Sequence, residues 1–145
     1  VEALEKGNYN YLDRSKMSPR ESLMAAYDAD IFLSSANAVT NDGILVNIDG
    51  NSNRVSCIAQ GPRKVVFIVG INKVCSDLDS AMKRARNVAA PVNAQRFDLN
   101  IPCKETGKCF DCKSMDTICC QFLITRFSRH TDRIHVILVN DTLGY

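Results

Sequence analysis

Apolar positions recur along this chain in two distinct rhythms. Over residues 18–28 they come at helical spacing, with Leu23, Met24 and Tyr27, joined by Ala26, on one face. Ser18 is placed to be the N-cap, Pro19 the first helical residue and Glu21 the capping-box partner. Leu78, Ala81, Met82, Ala85, Val88 and Ala89 repeat at intervals of three and four, while Lys83, Arg84 and Arg86 lie off that stripe. This predicts a second amphipathic helix. Pro91 is expected to break or restart it, with residues 91–99 adding a further turn or two.

The other rhythm is continuous. Residues 30–34, 44–48, 64–70 and 134–139 are short, nearly unbroken apolar runs. Strands apolar on both faces belong in the middle of a parallel sheet covered by helices. Residues 117–125 read as one more strand and residues 100–116 as a cysteine-bearing loop. Residues 1–6 read as the end of a helix with Gly7 as its C-cap. Strands alternating with helices predict a single α/β layered domain over residues 1–145, a mostly parallel sheet flanked by helices.

The strand ends hold the first candidate chemistry. In open α/β sheets, ligands bind beyond the carboxyl ends of the strands. The run ending at Leu33 enters Ser34, Ser35 and Asn37; the run ending at Val69 enters Gly70, Asn72 and Lys73. Asn47, Asp49, Asn53 and Arg54 lie between them in sequence, and Asp42 precedes them. Hydroxyls, amides, glycines and two cations suit a small anionic ligand: a carboxylate, a phosphate or an acyl thioester. Asp42 or Asp49 could serve as general base or nucleophile. The same residue types also populate turns for purely conformational reasons.

Cysteines hold the second. Cys103, Cys109, Cys112 and Cys119 fall within residues 103–119, and Cys120 adjoins the last. The spacing between Cys109 and Cys112 lets two thiolates meet one ion. Four cysteines satisfy a tetrahedral zinc site or an iron–sulfur cluster; disulfides or bare thiols are the other options. Side chains alternate along a strand, so only one of the adjacent pair should reach the site; Cys119 is assigned and Cys120 is its substitute. Lys104, Lys108 and Lys113 are expected to lower thiol pKa values. Cys57 and Cys75 read as small buried hydrophobes. His130 reads as a solvated loop residue and His135 as a core histidine. No Ser–His–Asp arrangement, P-loop or dinucleotide fingerprint occurs, so no nucleotide cofactor is expected.

Composition narrows the class. The net charge is +2, which predicts no nucleic-acid partner. Residues 1–60 carry 5 basic against 8 acidic side chains, whereas residues 61–145 carry 13 against 8. That gradient favours an anionic ligand or acidic partner in the C-terminal part. No apolar run reaches the roughly 20 residues of a membrane span. Seven cysteines cannot all pair internally, so a reducing, cytoplasmic setting is the simpler expectation.

The segment Ser34–Val55, with its Asn41-Asp42-Gly43 and Asn47-Ile48-Asp49-Gly50-Asn51-Ser52-Asn53-Arg54 stretches, resembles the central motif of the LUD domain (lactate utilization domain) family. Val69–Val74, Arg84–Ala94 and Arg133–Tyr145 are similar to its later segments. The resemblance implies a Rossmann-like fold related to the sugar-phosphate isomerase and CoA-transferase group. It also implies a role in using lactate or similar organic acids, but it carries no catalytic residue. The family's N-terminal strand and glycine- and serine-rich loop have no counterpart here. The chain, which has no initiator Met, therefore reads as lacking its N-terminal part. Proteins of the lactate-oxidation group work alongside iron–sulfur subunits, which favours a cluster over zinc.

Two functions follow. One is a ligand-handling domain of organic-acid metabolism. The other is a non-catalytic subunit whose metal loop docks on redox partners or relays electrons to them.

Overall fold

A computed structural model describes residues 2–145. In chain order its elements are α1 (Glu2–Glu5), a 3-10 turn at Arg14–Lys16, α2 (Pro19–Asp28), β1 (Ile31–Ser34), β2 (Ala38–Thr40), β3 (Leu45–Asp49), α3 (Asn53–Ala59) and β4 (Lys64–Gly70). A 3-10 turn at Ile71–Lys73 leads to β5 (Val74–Cys75), α4 (Leu78–Arg84), a π turn (Ala85–Ala89), α5 (Ala90–Ala94), α6 (Pro102–Thr106), β6 (Gln121–Thr125) and β7 (Ile134–Val139).

The strands form two sheets. The first is wholly parallel, in the order β1-β4-β7, with Phe32 opposite Val65 and Phe67 opposite Val136. Mixed α/β architecture with a parallel sheet and flanking helices is what the two rhythms predict. The second sheet, β5-β2-β3-β6, was not anticipated: β3 runs antiparallel to both β2 and β6.

The layers follow from alternation along β3. Leu45 joins Val39, Ile58, Val65, Phe67 and Val69 in a core between the two sheets. Val46 and Ile48 point the other way, onto Ala81 of α4 and Ala85 at the start of the π turn. A third cluster of Ala94, Ile101 and Cys103 lies beneath the cysteine segment.

Local signals held where they were self-contained. Ser18 and Glu21 form both halves of the capping box of α2. β4 and β7 span the residues expected. Other expectations need correction. β1 and β7 are the edge strands of a three-stranded sheet, not central ones. Ile31, Leu33, Ile68 and Ile137 accordingly stay exposed on its outer face. Pro91 is an exception: as expected, the helix restarts there, with the proline in the first turn of α5. The π turn just before it bonds Ala90 N to Ala85 O, and the helix continues into α5. Residues 100–116 include the helical turn α6, and the last part of 117–125 alone is strand. Gly7 is not at positive φ; its lack of a side chain leaves room for the Tyr9 ring.

Candidate functional site

β1, β4 and β7 run parallel, so their carboxyl ends share one edge. There the chain passes from Ser34 into Ser35, from Gly70 into Lys73 and from Val139 into Asp141. Packing is tight: a side-chain carbon on Gly70 would lie 2.5 Å from Leu143 N and 2.7 Å from Asp141 O. Asn72 holds the last segment in place. Its Nδ2 donates to Gly144 O at 3.2 Å and its Oδ1 accepts from Leu143 N at 3.2 Å.

Lys73 is the key residue of this edge. It is 5% exposed, and its Nζ bonds to Ser35 Oγ at 3.2 Å. Among the described residues no carboxylate pairs with it. Burial pushes its pKa down, and the charges of Arg84 and Arg54 push it further. Arg84, which the sequence places off the apolar stripe of its helix, clamps the two loops. Its Nε donates to Asn72 O at 3.0 Å and its Nη1 to Asn37 O at 2.5 Å.

Arg54 is differently placed. Its guanidinium gives four bonds: Ser35 O at 3.0 Å, Asn47 Oδ1 at 2.7 Å, Asn37 Oδ1 at 3.1 Å and Ile48 O at 2.7 Å. Both its terminal nitrogens are spent on protein, so it buttresses the edge from behind. Asn47 Nδ2, fully buried, has no partner. Asp49 is likewise occupied. Oδ1 accepts Asn51 N at 3.0 Å, while Oδ2 accepts Arg54 N at 2.9 Å and Val55 N at 3.1 Å. It caps α3, whose own N-cap Ser52 sits at φ 63 with no capping bond.

The candidate ligand residues therefore divide. Ser34, Ser35, Asn72 and Lys73 lie at the strand-end edge. Asn37, Asn47, Asp49 and Arg54 form the network behind it. Asn53 opens α3, in a segment read from the sequence as loop. Asp42 takes the Thr40 hydroxyl's hydrogen bond in the exposed β2–β3 turn. That turn lies at the end of β2 away from Asn37.

Cys103, Cys109, Cys112 and Cys119 line one small cavity with Arg86, Phe110 and Phe122. Cys120 is exposed. Cys109 Sγ accepts from Arg86 Nη2 at 3.4 Å and from Asp111 N at 3.5 Å, with Asp111 at φ 53. Among the described residues no three His, Cys, Asp or Glu side chains stand close enough together to hold a metal ion. Cys103 and Cys119 do not respond to lysines as expected. Burial raises Cys103, and burial with the neighbouring cysteines raises Cys119 to about 11. The cation touching a sulfur is Arg86, not one of the three lysines.

The minor candidates also sort out. Cys57 is buried and Cys75 is partly so. His130 is exposed. His135 is no core residue: its Nε2 lies 3.1 Å from Asp132 Oδ1, and the side chain is partly exposed. No helix is long and apolar enough to cross a membrane among the described residues.

The LUD domain family model matches residues 1–139. This chain belongs to the LUD domain family. No curated protein and no solved structure matches it. The matched residues include both sheets, Lys73 and the cysteine cavity and end before residues 141–144, which pack on Gly70 and Asn72.

Proposed function

We propose that this LUD domain serves organic-acid utilization by binding a small carboxylate at Lys73. One observation carries the reading: a buried ammonium at the carboxyl ends of three parallel strands, with a hydroxyl and no carboxylate beside it. Burying an unpaired charge is costly, and an anionic ligand offsets that cost. Arg84 adds charge, and its Nη2 makes no hydrogen bond among the described residues. Ser34, Ser35 and Asn72 supply neutral hydrogen-bonding groups at the same edge. Thermal shift with lactate, a CoA ester and a sugar phosphate tests the reading. Stabilisation by lactate, lost in Lys73→Met, is the expected result. No shift with any of the three would end it.

A second reading rests on the cysteine cavity. The donor set is four thiols, the chemistry of structural zinc and of iron–sulfur clusters. Cys109 already accepts two N–H bonds, as metal-bound sulfurs do when outer groups orient them. Cys103, Cys109, Cys112 and Cys119 would hold the ion. Zinc would order the segment, whereas a cluster would let it pass electrons to redox subunits. Seven free thiols fit a reducing cytoplasm. Metal analysis of anaerobically purified protein tests this reading, and a metal-free protein with full partner binding would count against it.

A further inference from the structure

We propose that the Lys73 amine is a nucleophile that condenses with the carbonyl of a 2-oxo acid to form an imine. This rests on the carboxylate-binding reading and adds a covalent step to it.

Three features carry the inference. First, Lys73 is the single buried lysine among the described residues, which carry no other buried cation. A buried amine held only by a hydroxyl is free to rotate onto a bound carbonyl; one locked to a carboxylate is not. Second, Arg84 and Arg54 crowd the ammonium with like charge, an environment that favours the neutral, nucleophilic amine. Third, Ser35 Oγ at 3.2 Å can relay a proton between the amine and the oxygen that leaves. The free arm of Arg84 gives the acid's carboxylate a partner while the carbonyl faces Nζ.

The step balances. The ammonium first gives a proton to water, passed through the Ser35 hydroxyl, which gains and loses one proton in the transfer. The Nζ lone pair then attacks the carbonyl carbon, and the C=O π electrons move onto oxygen, giving a carbinolamine. Proton return to that oxygen lets it depart as water. An ammonium and a ketone thus become an iminium and one water, with the same total charge and no oxidant or reductant.

Trapping tests it on the intact chain. Protein is incubated with pyruvate, the simplest 2-oxo acid, and treated with borohydride. The expected product gains the mass of pyruvate less one oxygen atom, mapped to the peptide containing Lys73. Lactate, which has no carbonyl, should give no adduct, nor should Lys73→Arg with pyruvate. An unmodified Lys73 peptide, or equal modification of Lys73→Arg, overturns the proposal. Ser35→Ala keeps the amine and should slow adduct growth by about a hundredfold; an unchanged rate removes Ser35 from the step. Thermal stabilisation by lactate without an adduct overturns the imine and leaves the carboxylate site standing. Absence of both signals removes both.

Discussion

Arg84 donates from Nη1 to the Asn37 carbonyl at 2.5 Å, fixing helix α4 to the loop that follows β1. The same side chain holds the Asn72 carbonyl from Nε. Truncation in Arg84→Met strands two carbonyls at once. A loss of about 1–3 kcal/mol in urea-unfolding stability is expected. Arg84→Lys should recover only part of it, because an ammonium cannot span two acceptors as a planar guanidinium does.

Lys73→Met should raise the melting temperature while abolishing the response to lactate. The wild-type protein buries a charge at 5% exposure without an anionic partner, and the methionine removes that cost. The pH dependence has a definite sign. Burial and two guanidiniums lower the folded pKa below the ordinary 10.5, so above that folded value the unfolded chain binds more protons. Wild-type stability should gain from this group as pH rises through the folded pKa, with the gain complete near 10.5. In Lys73→Met that component of an alkaline stability titration should vanish.

Gly70→Ala should cost about 1–3 kcal/mol by overpacking. The added carbon would meet Leu143 N at 2.5 Å and Asp141 O at 2.7 Å, both backbone atoms. Faster hydrogen exchange at Leu143 should accompany the loss, since displacement of residues 141–144 is the easiest relief.

Asp49→Asn separates capping from the proposed ligand binding. The asparagine keeps one oxygen, so either Asn51 N or the pair Arg54 N and Val55 N loses its acceptor to the amide nitrogen. Stability should fall by about 1–2 kcal/mol. The lactate response, measured below the lowered melting point, should persist.

Cys109→Ser should reduce bound metal and any visible absorbance of anaerobically prepared protein, whereas Cys120→Ser should change neither. Cys109 lines the cavity and accepts two hydrogen bonds, while Cys120 is exposed.

What could be read from the sequence was whatever a few neighbouring residues settle among themselves. The start of α2 was legible because Ser18 and Glu21 complete a reciprocal pair three residues apart. β4 was legible as an unbroken apolar run. Helix α3 was hidden because its cap is Asp49, on the preceding strand, and its own N-cap position is left-handed. Arg54 looked like a ligand residue for the same reason. Its four acceptors come from Ser35, Asn37, Asn47 and Ile48, which meet only when β1, β2 and β3 are assembled. Lys73 and Ser35 were legible as candidates because strand-end loops in parallel sheets converge by rule. Arg84 was missed because its helix position says only that it lies off the apolar stripe. Its targets are backbone carbonyls with no sequence signature.

The π turn at Ala85–Ala89 acts as a rotary offset. One extra residue in a helix advances everything after it by about 100°. Ala81 before the turn and Ala85 at its start face the second sheet; after it, Ala94 faces Ile101 and Cys103. One helix can thereby seat two layers that do not share a direction. Deleting a single residue there would straighten the helix, yet it would leave one of its two seats facing the wrong way.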